Sequence, residues 1–150
     1  AAQKWKNMDS KLWLEAGDEA MDKEFHGHYD IWGGDIDPAA VELARHNAEL
    51  AGVEDCIRFE VADAGKFHRD SEYGQLVTNP PYGERLLEKK EAEDLYRMFG
   101  AALRDLPPKW RVLVLSSHTE FERCFGRPAD KKRKLYNGMI RCQYYMYFKA

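Results

Sequence analysis

The most constraining feature of this sequence is an alternation. Short apolar runs, each closing on a polar or acidic turn, are separated by segments of helical period. Residues 29–32 (Tyr-Asp-Ile-Trp) run into Gly33 and Gly34, and residues 57–61 alternate apolar with polar side chains. Residues 74–78 and 111–116 also read as short strands, the latter rich in Val and Leu and expected to be buried on both faces. Strand–helix alternation of this kind specifies an α/β fold with a mostly parallel sheet covered by helices. In such sheets ligands gather at the carboxyl ends of the strands. Asp35, Asp37, Asp63 and the tetrapeptide Asn79-Pro80-Pro81-Tyr82 all fall at such ends.

The intervening segments carry helix punctuation. Residues 1–25 read as a packing helix, with Trp5, Met8, Leu12, Ala16 and Met21 near helical spacing and Gly17 a candidate break. Asp37 suits an N-cap and Pro38 the first helical position; Val41, Ala44, Ala48 and Ala51 form the stripe, and Gly52 suits the C′ position. A further helix follows Gly83, with Ala92, Leu95, Phe99, Ala102 and Leu106 on one face, and stops at Pro107 and Pro108. Thr119 and Glu122 have capping-box spacing. Strands over residues 134–136 and 140–148 flank Asn137-Gly138, a hairpin signal.

Composition narrows the class. A length of 150 residues suits one domain, and 44% hydrophobic with 33% charged residues is globular. No apolar run approaches the ~20 residues of a membrane helix. The first ten residues lack the apolar stretch of a secretory signal. Cys56, Cys124 and Cys142, odd in number and widely spaced, suit a reducing cytoplasm better than a disulfide framework. No metal is expected, because His26 and His28 do not make a ligand spacing. Charge is uneven. Residues 1–103 carry 12 basic and 22 acidic side chains, and residues 104–150 carry 11 and 4. That asymmetry suits a polyanion near the C-terminal end, where Arg127, Lys131, Lys132, Arg133 and Lys134 cluster.

The tetrapeptide at 79–82 carries the sharpest chemistry. Two prolines fix φ and remove two backbone donors, so the loop presents acceptors: the Asn79 side-chain oxygen and the Pro80 carbonyl. The nitrogen of an amide or base amine is a poor nucleophile because its lone pair is delocalised. Two acceptors holding its hydrogens aim that lone pair at an electrophile, and an aromatic face such as Tyr82 fixes the plane. Asp35 at a strand end can accept both hydroxyls of a ribose, and Ile36 can cover an adenine face. Asp63 can accept an adenine amino hydrogen, and Asp37 reads first as a helix cap. Taken alone, each Asp serves equally well as a turn residue.

These strings resemble a known family. Gly34-Asp35-Ile36-Asp37-Pro38, Ala44-Arg45-His46-Asn47-Ala48 through Ala51-Gly52-Val53, Ala62-Asp63-Ala64, and Thr78 through Leu86 resemble class I S-adenosylmethionine-dependent methyltransferases. The longer string Asn-Pro-Pro-Tyr-Gly-Glu-Arg-Leu, with Lys132-Arg133-Lys134-Leu135-Tyr136-Asn137-Gly138, is similar to the THUMP-containing 23S rRNA guanine-N2 methyltransferases. The resemblance implies a Rossmann-like sheet with a C-terminal antiparallel hairpin and S-adenosylmethionine as cofactor. It places Asp35 on the cofactor ribose, Ile36 on its adenine, and Asp63 and Ala64 at the adenine edge. Asn79, Pro80, Pro81 and Tyr82 would hold the target guanine amine, with Asn79 also bordering the cofactor, and transfer would be direct. Arg85, Arg127 and residues 131–134 would meet rRNA.

The family's first strand and glycine-rich loop have no counterpart in these residues, nor has the THUMP domain. Gly33 and Gly34 precede the second-strand motif and do not replace the loop. The chain is therefore expected to be the C-terminal part of one catalytic domain. Strand order 3-2-1-4-5-7-6 in the family then leaves two strand groups with no partner between them. Alternative readings are an adenine-N6 DNA or tRNA guanine-N2 methyltransferase, and a non-catalytic RNA-binding fragment.

Overall fold

A computed structural model describes residues 4, 5, 7, 9–25, 27–83 and 86–149, with residues 86 and 87 in backbone only. In chain order the elements are α1 (Ser10–Asp22), β1 (Ile31–Asp35), α2 (Pro38–Leu50), β2 (Ile57–Val61), β3 (Tyr73–Thr78), α3 (Leu86–Ala102), β4 (Lys109–Ser116), α4 (Phe121–Phe125), β5 (Lys131–Asn137) and β6 (Ile140–Tyr147).

The strands form two groups. β1 and β2 pair in parallel, Ile31 opposite Ile57 and Asp35 opposite Val61. β3 pairs in parallel with β4, and β4 and β5 each pair antiparallel with β6, giving the order β3-β4-β6-β5. Among the described residues no ladder joins β1 to β3. Between them runs a cleft of about 860 Å³, lined by Trp32, Gly33 and Gly34 on one side and by Tyr73 to Thr78 on the other. This is the separation expected for a sheet whose central strand lies outside the described residues.

One core holds the larger sheet. Helices α3 and α4 cover one face of β4 and β6, burying Val112, Val114, Tyr145 and Tyr147 against Tyr96, Phe99, Phe121 and Phe125. The contacts are mostly aromatic. Phe121 stacks on Tyr145 at 4.6 Å and on Phe125 at 5.2 Å, and meets Tyr96 edge-on at 4.9 Å. Such pairs add to their area burial about 0.5–1.5 kcal/mol each.

Local chemistry accounts for most boundaries. Asp37 caps α2 through a 2.9 Å bond from the Ala39 N–H, Pro38 opens the helix, and Gly52 follows its end at φ +67°. β2 occupies the expected residues, and β3 begins one residue early.

Several expectations need correction. β1 extends to Asp35, so the two glycines lie inside the strand rather than after it. Gly17 does not break α1, which Asp9 caps, and α1 buries none of its residues. On α3 the buried face includes Ala92, Tyr96 and Phe99, continued by Leu103 just beyond the helix, with Leu95 and Ala102 only half-buried. Among the described residues β4 is fully buried on one face, that of α3 and α4, while Leu113 and Leu115 on the other are half-buried. Thr119 does not cap α4; Glu120 holds the N-cap position without a side-chain bond, and Glu122 instead accepts from the Ala129 N–H and Lys132. In the hairpin Asn137 pairs with Ile140 inside the ladder, and only Gly138 has positive φ (+60°). That is the pattern of a type II′ turn, with glycine at the first central position.

Candidate active site

The candidate residues collect where β1, β2 and β3 end. Asp35 closes β1, and its Oδ1 accepts the Asp37 N–H at 2.9 Å. Its carboxylate is exposed, and its other oxygen has no hydrogen bond among the described residues. Ile36 projects beside it, 69% exposed. Asp37 is committed to its cap. The pair is therefore divided: one carboxylate builds the helix, and the other, anchored by one oxygen, offers the second outward.

Asp63 is a turn residue first. Its Oδ1 accepts the Gly65 N–H at 2.8 Å, and Lys66 Nζ lies 3.9 Å from its Oδ2. Asp63 and Ala64 line the cleft between β1 and β3, together with Thr78. Asp35, Ile36, Asn79, Pro80, Pro81 and Tyr82 lie outside its lining. The carboxyl ends are thus grouped, but the acceptor loop and the Asp35 corner do not share one enclosed pocket.

Loop 79–82 runs straight from β3. Tyr82 donates its hydroxyl to Asn79 Oδ1 at 2.6 Å and accepts from Asn137 Nδ2 at 3.3 Å; Cys142 Sγ lies 3.6 Å away. Burial, with the neighbouring Cys142, holds the Tyr82 phenol above its ordinary pKa despite the Asn137 and Asn79 bonds, so it stays protonated and a donor. An amide oxygen has two lone pairs. Tyr82 takes one and fixes which way the Asn79 amide faces, leaving the second for another donor. Gly83 follows at φ +68°, and a Cβ there would lie 2.6 Å from Lys89 Cα, so only glycine lets the loop turn onto α3. A second hollow of about 410 Å³ lies between Pro81, Tyr82, Gly83 and the start of α3.

Three residues that sequence reasoning missed support this loop from behind. The Tyr96 hydroxyl donates to the Pro81 carbonyl at 2.5 Å and lies 3.4 Å from Ser116 Oγ. Ser116 in turn accepts the His118 N–H. The available signal was a tyrosine between Ala92 and Phe99 at helical spacing and a serine closing the apolar run 112–115.

The basic candidates divide. Arg127 donates to the Lys149 carbonyl at 2.7 Å and lies over the Tyr147 ring. Lys132 is held 2.8 Å from Glu122 Oε2. Burial pushes the Glu122 carboxyl up, but the bonds from Lys132 and the Ala129 N–H outweigh it and hold it below its usual range. Lys134 lies over the Tyr136 ring at 5.4 Å. Lys131 and Arg133 are exposed, with no ion pair among the described residues. By strand alternation they share a face with Asn137 and Cys142, the residues that touch Tyr82. Arg85 and His26 lie outside the described residues. No described helix is long and apolar enough to cross a membrane.

Comparison with known proteins gives a family. YpsC of Bacillus subtilis (strain 168), provisionally named an RNA methyltransferase, is 41% identical over 98% of this chain and 38% of its own length. The ribosomal RNA large subunit methyltransferase K/L of Shewanella baltica (strain OS185) is 37% identical over 95% of this chain and 21% of its own length. The chain thus spans well under half the length of these relatives. A crystal structure described as a possible methylase from Clostridium difficile 630 superposes with a TM-score of 0.89 at 42% identity, covering 99% of this chain and 39% of that one. The SMU.472 protein, described provisionally as a methyltransferase and solved in complex with SAH, superposes at 0.87 with 37% identity, covering the same shares. The family profile of the RMKL-like methyltransferase domain matches residues 1–146. The chain belongs to this family, UPF0020.

Proposed function

We propose that this chain is the C-terminal part of one methyltransferase catalytic domain. In that reading it directs a methyl group from S-adenosylmethionine to the exocyclic N2 amine of a guanine in large-subunit rRNA. The observation that carries the reading is the Asn79 amide, oriented by Tyr82 at the end of β3 with one lone pair still open. The Pro80 carbonyl beside it supplies a second acceptor. Two fixed acceptors suit an sp² amine with two hydrogens, whose lone pair must be drawn out of conjugation with the ring to react. Positioning of this kind supplies much of the rate of a direct transfer.

The residues present fit the cofactor. Asp35 offers an exposed carboxylate oxygen to ribose hydroxyls, and Ile36 offers an exposed apolar surface to an adenine. Asp63 and Ala64 lie at the next strand end. When bound, S-adenosylmethionine supplies an electrophilic methyl on sulfonium. The solved relative in complex with SAH supports this assignment. The cleft between β1 and β3 suits one parallel strand, which we assign to another segment of the longer protein. The short share of each relative that the chain spans supports that assignment. The name of the Shewanella relative and the exposed pair Lys131 and Arg133 favour rRNA as substrate. Three free cysteines suit a reducing cytoplasm.

The test is Asn79→Ala in the full-length protein. It removes one positioned acceptor and leaves Asp35 and Ile36 in place. Methyl transfer should fall about 100-fold or more, the usual cost of deleting one positioned polar group. Cofactor affinity should change far less. Near-normal turnover would refute the role of the loop.

A further inference from the structure

The prolines that shape the acceptor loop also strip it of anchors. Neither Pro80 nor Pro81 has a backbone N–H, so at these positions only carbonyls can tie the loop to the rest of the fold. One carbonyl, that of Pro81, receives the Tyr96 hydroxyl at 2.5 Å. Tyr96 is fully buried on α3, edge-on to His118 at 5.5 Å and to Phe121 at 4.9 Å. Burial raises its pKa, so the hydroxyl keeps its proton.

Behind Tyr96 stands a polar chain in an otherwise apolar core. Ser116 Oγ lies 3.4 Å from the Tyr96 hydroxyl and accepts the His118 N–H at 3.1 Å. His118 Nδ1 accepts the Glu120 N–H, which leaves the proton on Nε2, 3.5 Å from Glu93 Oε1. Ser116 and His118 are the buried polar residues among those described. Ser116 Oγ and His118 Nδ1 are satisfied within the chain, whereas His118 Nε2 has no hydrogen bond among the described residues and Glu93 is only an ion-pair neighbour. The chain leads to a single loop atom, one residue from the Pro80 carbonyl and two from Asn79.

We propose that Tyr96 is a positioning residue for methyl transfer. Its hydroxyl pins the Pro81 carbonyl and thereby sets the Pro80 and Asn79 acceptors at their working separation. The inference rests on the reading of residues 79–82 as the amine acceptor.

Tyr96→Phe in the full-length protein tests it, because the ring contacts remain and one donor is lost. Turnover of methyl transfer to rRNA should fall about 10–100-fold, within the range for lost positioning and polar contacts. KM for rRNA and affinity for S-adenosylmethionine should each change less than about threefold, since the substituted group touches neither. Amide hydrogen exchange over the peptide containing Tyr82 and Gly83 should speed up, and exchange in β4 should not. Tyr147→Phe is the matched control: it removes a buried hydroxyl that donates to the Arg127 carbonyl at 3.4 Å, away from the loop. It should change neither readout. Unchanged turnover, unchanged exchange in the loop, or an equal loss in Tyr147→Phe would each overturn the proposal. If the wild-type protein methylates no RNA, the reading of the substrate fails instead, and loop exchange alone then decides whether Tyr96 holds the loop.

Discussion

Asp35 and Asp37 stand two residues apart, are both exposed, and are chemically identical, yet only Asp37 caps a helix, and the proposed cofactor role falls to Asp35. Asp35→Ala removes one accepted bond, from the Asp37 N–H, and one open carboxylate oxygen. That N–H is at the surface and water can replace its partner, so the stability cost should stay within about 0.5 kcal/mol. The open oxygen is the part assigned to the cofactor ribose. Hydrogen bonds to a charged group contribute about 1.5–3 kcal/mol, so affinity for S-adenosylmethionine should fall roughly 10- to 150-fold. Asp37→Ala removes the α2 cap on the Ala39 N–H and should cost about 1 kcal/mol of stability, with cofactor affinity little changed. Isothermal titration with S-adenosylmethionine and thermal melts of both variants of the full-length protein give the two columns of the comparison. A larger affinity loss for Asp37→Ala than for Asp35→Ala would refute the division.

The basic hairpin should bind RNA through one face. Lys131→Ala with Arg133→Ala should lower the log–log salt slope of rRNA binding by about 1.4, near 0.7 per lost contact to a single strand, as read by anisotropy between low and moderate salt. Lys132→Ala should leave it nearly unchanged, because that ammonium is already held by Glu122; an equal fall would refute the assignment of faces. Stability should also depend on pH through His118. Burial outweighs the pull of Glu93 and holds the folded imidazole below its ordinary pKa of 6.5. The unfolded chain therefore binds the extra proton first as pH falls. The stability that neutral His118 contributes is full above about pH 6.5 and is lost on acidification toward its lower folded value. His118→Gln should flatten the decline of the melting temperature between pH 7.5 and 5.5. An unchanged slope would show that another group carries it.

What could be read from the sequence was local. The Asp37-Pro38 start of α2, its end at Gly52 and the alternation of β2 depend on neighbours a few residues apart. The separation of β1 from β3 followed from the strand order of the family rather than from any local signal. The hidden parts depend on distance in the chain. Tyr96 meets Pro81 and Ser116 across 15 and 20 residues, and Tyr82 meets Asn137 across 55. No periodicity encodes such pairs. The stripe of α3 was misplaced for a related reason: Tyr96, polar at its tip, belongs to the buried face, and Leu95 does not belong fully to it. The basic run shows the limit of composition, since charge alone does not separate Lys132, bound to Glu122, from Arg133, which has no such partner among the described residues.

The chemistry assigned to residues 79–82 is most directly tested by the product. Full-length protein, S-adenosylmethionine with a labelled methyl group and large-subunit rRNA would be incubated, and the rRNA digested to nucleosides and separated. The label should appear in N2-methylguanosine and should be nearly absent with Asn79→Ala. Label in N6-methyladenosine, or undiminished label with Asn79→Ala, would contradict the assignment.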